Sequence, residues 1–196
     1  MSSNRPPVNA INNEDQGRPP AQAQKRTAGV ASGQISAADL EAVREQLGRE
    51  PRGVLKVAAR CACGAPAVVA TAPRLDDGTP FPTMFYLAHP AAVKACSVLE
   101  AEHWMDELNE QLRADEGLQA KYRRAHEQYL QARDAVQVVP EISGVSAGGM
   151  PTRVKCLHAL VGHALAAGPG VNPIGDMALK RMEERGLWNP NQCADK

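Results

Sequence analysis

Two cysteines separated by one residue, in the stretch Arg60-Cys61-Ala62-Cys63-Gly64-Ala65-Pro66, are the strongest local chemical signal in the chain. On an extended backbone entering a turn, two such thiolates can face the same way and share a cation at about 2.3 Å each. The spacing is one residue shorter than the usual zinc knuckle, so the pair alone is an imperfect match. Other donors of the same kind lie further along: His89 just before Pro90, and Cys156, His158 and His163 in the stretch RVKCLHALVGHALA. Thiolate and neutral imidazole together suit zinc or another borderline metal, so zinc is the expected cofactor and an iron–sulfur cluster the less favoured one.

Helical geometry limits how these donors combine. Cys156 and His163 share a helix face but stand about 10 Å apart along the axis, too far to hold one ion easily. Cys156 and His158 are about 200° apart on an ideal helix, so both can bind only if Cys156 sits at an uncoiled edge. The economical site joins one or two cysteines of the turn, His89 and Cys156, with His158 behind them or as a fourth ligand. An alternative chemistry makes Cys156 a nucleophile. At a helix N-terminus beside Arg153 and Lys155 its thiol would be acidified, with His158 or His163 as base. Nothing marks an oxyanion hole or an orienting carboxylate, so the metal reading ranks first. Gly148-Gly149 before a helix start could bind an anion through free amides, yet it lacks the Gly-Lys-Ser or Gly-Lys-Thr ending of a phosphate loop. A bare turn is the simpler reading. His103, His126 and Cys96 fall on apolar or helical faces and read as structural.

The elements that must position these donors are legible in part. Ser36 caps a helix AADLEAVREQL that stops at Gly48. VLKVAAR and AVVATA flank the cysteine turn as a hairpin, and TMFYLAH supplies a third strand after the break at Asp76–Pro82. Beyond Pro90 the period changes. Ala91, Ala95, Val98, Ala101, Met105, Leu108 and Leu112 form one helical stripe; Leu118, Tyr122, Ala125, Tyr129, Ala132 and Val136 form another after Asp115–Gly117. These predict a long antiparallel helical hairpin, packed within the chain or offered to a protein partner. A helix apolar on two sides, Val154 to Ala167, is expected at the centre of the core. A short last helix follows, capped at Asn172 before Pro173. The fold class is α+β: a small antiparallel sheet packed with the hairpin and the buried C-terminal helix.

Composition sets the outer bounds. Of 196 residues, 1–35 hold four prolines and no aromatic, which predicts a disordered tail before a single domain over 36–188, with a frayed end at 189–196. Five cysteines, an odd number scattered over the chain, do not resemble an extracellular disulfide framework. The 22 basic residues equal the 22 acidic ones, which removes the electrostatic case for nucleic acid or an anionic membrane. No apolar run reaches the roughly 20 residues of a membrane span, and the first 30 lack a secretory apolar core, so a cytoplasmic location is expected.

The segments RCACGAPAVV, GTPFPTMFYLAHP, EISGVSAGGM, RVKCLHALVGHALA and NPIGD, in that order, resemble the bacterial, mainly actinobacterial family called domain of unknown function 501. The resemblance runs from about Ser36 to about Asp176. It implies that Cys61, the segment Cys156 to His158, and His163 match positions of the family pattern, and it implies no particular activity. Where the family often has Cys-Pro, this chain has His89-Pro90, which disfavours a four-cysteine cluster more than a zinc site. The function expected is therefore that of a metal-binding structural or interaction protein. The alternative is a metal- or thiol-dependent enzyme using Cys156.

Overall fold

The computed structural model describes residues 35–192 together with Met1. Almost all of the expected disordered tail, and residues 193–196, lie outside the described residues.

Chain order follows local chemistry closely at the start. Helix α1 (Ala37–Leu47) begins where the Ser36 hydroxyl accepts the Asp39 N–H at 3.1 Å, and ends at Gly48, whose φ of 64° closes the last turn at no side-chain cost. Strands β1 (Val54–Arg60), β2 (Pro66–Thr71) and β3 (Phe85–Leu87) form an antiparallel sheet in that order. The central strand β2 is buried along its whole length. Val69 packs with Val43 of α1 and with Ala88 on one face, while Val68 enters the main core on the other. With six helices among the described residues, the chain is an α+β protein.

The helical part departs from expectation at one point. The first arm of the hairpin is two helices, α2 (Pro90–Ala101) and α3 (Trp104–Ala114), broken at His103, which adopts φ 60°. The break turns Trp104 inward, where it is buried with Leu108 and Leu112. Asp115 then ends α3 and caps α4 (Glu116–Asp134), its carboxylate accepting the Leu118 N–H at 2.9 Å. The seam of α4 is spent inside the chain: Tyr122, Ala125 and Tyr129 are fully buried, and the Tyr129 hydroxyl donates to the Pro82 carbonyl while accepting the Met84 N–H.

Helix α5 (Leu157–Ala167) is the expected central helix, though it starts three residues later than the pattern suggests. It lies on β3 and against α6 (Pro173–Glu184), whose first turn is capped by Asn172. Both contacts are backbone-close. A Cβ at Gly162 would stand 2.7 Å from the Phe85 carbonyl oxygen, and one at Gly175 would stand 2.3 Å from the Leu160 carbonyl oxygen. Beyond α6 the chain does not fray at once. Trp188 is buried, and residues 189–192 close a turn through the Gln192 N–H to Asn189 carbonyl bond. Among the described residues no helix is long and apolar enough to cross a membrane.

Candidate metal centre

The β1–β2 connection is a tight loop: the Cys61 N–H donates to the Ala65 carbonyl at 3.0 Å, and the Gly64 N–H returns to the Cys61 carbonyl at 2.9 Å. Arg60 reinforces it by donating to the Gly64 carbonyl while paired with Asp39 of α1. His89 is brought to the same end of the sheet by the continuation of β3, where the Ala88 and His89 N–H groups both donate to the Ala67 carbonyl. Pro90 then opens α2 directly, so His89 is held between a strand end and a helix start. The result is one group: a ligand atom from each of Cys61, Cys63 and His89, all within 4.8 Å of one another. Ligands on a tetrahedral ion with bonds of about 2.3 Å stand about 3.8 Å apart, so the three need only small adjustments to share one. Cys61 and His89 are buried and Cys63 is exposed. Burial lowers the pKa of the His89 ring, which keeps it neutral.

Cys156 does not join this group. It falls in a second one with His158 and Glu100, a carboxylate absent from the expected site. The reason is local. The chain ahead of α5 is extended, held by Asn109, whose side-chain amide donates to the Val154 carbonyl at 2.9 Å and accepts its N–H at 2.8 Å. Cys156 therefore sits at the N-cap with extended φ and ψ rather than inside the helix, and meets His158 instead of facing away from it. The cap itself comes from α2: Glu100 Oε1 accepts the Leu157 N–H at 2.6 Å and lies 3.1 Å from His158 Nδ1. Cys156 Sγ is 4.0 Å from the same Nδ1, and Ser97 Oγ is 3.3 Å from Nε2. His158 is pushed up to about 8, by its contact with Cys156 first and then by the Glu100 charge, against the opposing effect of burial. Cys156 and His158 border a cleft of about 650 Å³ whose walls also carry Arg49, Tyr86 and Lys94.

His163 belongs to neither group among the described residues. It is stacked on Phe85 at 5.5 Å, edge-on to Tyr129, and accepts the Asn172 side-chain N–H at Nδ1, 3.1 Å. Burial lowers its pKa to about 4, so the ring is neutral within the core. The Gly148-Gly149 segment is a packed turn, its carbonyls accepting from Lys155 and Arg153. His126 pairs with Ser146.

Sequence reasoning missed Glu100 because it is 56 residues from Cys156 and sits on a helix read only for its apolar stripe. The available signal was negative: α5 has no Ser, Thr, Asp or Asn at its start, so its free amides need an acceptor from elsewhere.

The fold is thus that of an α+β protein with, among the described residues, two clusters of Cys, His and acidic side chains. A family model described as Protein of unknown function (DUF501) matches residues 57–180, which include every member of both clusters. The chain belongs to that family. No curated protein and no solved structure matches it.

Proposed function

We propose that this protein is a cytoplasmic, non-enzymatic metal-binding protein in which a zinc-type ion held by Cys61, Cys63 and His89 ties the β1–β2 turn to the start of α2. The observation that carries the reading is the convergence, within 4.8 Å, of two sulfurs and an imidazole nitrogen from separate elements. Such an ion supplies stability and fixes a surface for a structural or interaction role; it performs no reaction here. The cysteines bind as thiolates and the imidazole as the neutral ring, so metal uptake releases protons and weakens in acid.

Metal analysis of protein purified without a histidine tag tests this. Near-stoichiometric zinc is expected, lost in Cys61→Ser together with part of the thermal stability, and retained in Cys156→Ser. A metal-free wild type of undiminished stability overturns it.

A second reading is favoured by the Glu100–His158–Cys156 geometry: a thiol-dependent enzyme whose nucleophile faces the adjoining cleft. Peptide mapping after brief alkylation at neutral pH distinguishes it. Cys156 modified several-fold faster than Cys63 supports the enzyme, and equal or slower modification speaks against it.

A further inference from the structure

Away from the Cys61 group, donors of three kinds meet at the start of α5: Cys156 Sγ, a His158 ring nitrogen and a Glu100 carboxylate oxygen lie within 4.8 Å of one another. Their spacing is close to that of a coordination shell. Around a tetrahedral zinc-sized ion, bonds of about 2.0–2.1 Å to nitrogen and oxygen and about 2.3 Å to sulfur put oxygen and nitrogen about 3.3 Å apart and sulfur and nitrogen about 3.6 Å apart. Glu100 Oε1 is 3.1 Å from His158 Nδ1, and Cys156 Sγ is 4.0 Å from the same atom.

The surrounding hydrogen bonds orient these donors. The single hydrogen of Ser97 Oγ goes to the Val93 carbonyl at 3.0 Å, so Ser97 meets His158 Nε2, at 3.3 Å, as an acceptor, and Nε2 carries a hydrogen. In the neutral ring Nδ1 then points a lone pair at the Glu100 oxygen. Two acceptors in that arrangement need a cation between them, a proton or a metal ion, and the sulfur beside them suits the metal ion. A ligating imidazole whose far N–H is held by an outer partner is the usual form of such a site. Glu100 is anchored by Oε1 on the Leu157 N–H, while its Oε2 makes no hydrogen bond among the described residues and is free to ligate. One thiolate and one carboxylate balance the charge of a divalent ion.

We propose that Cys156, His158 through Nδ1, and Glu100 form a second metal site, of the open type, whose remaining coordination position faces the cleft of about 650 Å³ that Cys156 and His158 border. The proposal does not depend on the ion at Cys61, Cys63 and His89, and it gives the Cys156 sulfur a different use from that of a free nucleophile. One thiolate against two makes this the weaker, exchangeable site, emptied on purification and filled by added metal. Its open position takes water or a small anion. Arg49 and Lys94 line the same cleft, and neither is paired with a carboxylate among the described residues; Arg49 donates to the Glu50 carbonyl and the Tyr86 hydroxyl.

Cobalt added to the full chain as purified tests the site, because a cobalt–thiolate bond gives a charge-transfer band that oxygen and nitrogen ligands do not. Wild type, Cys156→Ser, Glu100→Gln, Ser97→Ala and Cys61→Ser are compared, with circular dichroism as the check on folding. The spectrum of wild type minus that of Cys156→Ser is expected to have the intensity of one thiolate, and this component should persist in Cys61→Ser. Glu100→Gln keeps an acceptor for the Leu157 N–H but loses the charge, and should bind cobalt at least about tenfold more weakly; Ser97→Ala should weaken binding by about tenfold with the band unchanged. Cobalt should also slow alkylation of Cys156 in the wild type. A cobalt spectrum identical in wild type and Cys156→Ser, a band abolished by Cys61→Ser, or Cys156 alkylation indifferent to cobalt would overturn the second site, and none of these results bears on whether zinc is held at Cys61, Cys63 and His89.

Discussion

His163 and His158 lie five residues apart on one helix and are driven in opposite directions by their surroundings. His163, surrounded by Phe85, Tyr129 and Asn172, has its pKa lowered to about 4. A ring whose folded pKa lies below its unfolded value near 6.5 contributes stability that is present above about pH 6.5 and lost as pH falls toward 4. The loss amounts to about 3 kcal/mol if the whole shift is expressed. Denaturant midpoints of the chain and of His163→Asn at pH 7 and pH 5 should show a smaller acid loss in the variant. His158 is the reverse case. Its pKa is raised to about 8, so its contribution is full below about pH 6.5 and disappears as pH rises through 8. Titration of its ring by NMR should move downward in both Cys156→Ser and Glu100→Gln. An unmoved titration would mean that neither neighbour controls it. The residue types of this pair were legible in the sequence, and their separation into core ring and charged cluster was not. It depends on Glu100 and Asn172, which reach them through tertiary packing.

At the scale of elements, α5 organises the molecule because glycine lets it touch its neighbours with backbone. Gly162→Ala would force a methyl against the Phe85 carbonyl, which cannot rotate away; overpacking of this kind costs about 1–3 kcal/mol. Equilibrium unfolding should show that loss with an unchanged denaturant slope, whereas Gly64→Ala at the open turn meets no neighbour and should act only through its φ of 85°. Three strands and the Ser36 and Asn172 caps were readable because each is written in adjacent residues. The break between α2 and α3 was not, since the apolar stripe continues in step from Ala95 to Leu112 across it. What breaks the helix is His103 in a left-handed conformation, which lets Trp104 reach the core. The late start of α5 has the same kind of cause: Pro151 favours a helix locally, but Asn109 holds Val154 extended.

For the whole molecule, the metal reading makes one ion tie together points that the chain order separates. Residues 61–63 and 89 lie at one edge of the sheet, and the turn at 189–192 lies over them through Pro190 and Trp188. Removing the ion with a strong chelator is therefore expected to lower the melting temperature and to change Trp188 fluorescence, both reversed by added zinc. A Trp188→Phe variant should keep the first effect and lose the second. The Cys61–Cys63 pair was legible as a candidate ligand pair, and His89 as its neighbour because both lie at strand ends. Cys156 was placed there as well, on the expectation that the central helix begins at Val154 and passes under the same edge. The extended segment before α5 carries it to Glu100 instead.

The most direct test of the metal site is X-ray absorption at the zinc edge on the zinc-loaded native chain. The account predicts a first shell dominated by sulfur at about 2.3 Å, with one imidazole nitrogen at about 2.0 Å and its outer-ring scattering. A shell of oxygen and nitrogen alone, or a loaded chain whose spectrum is unchanged by Cys61→Ser, would contradict it.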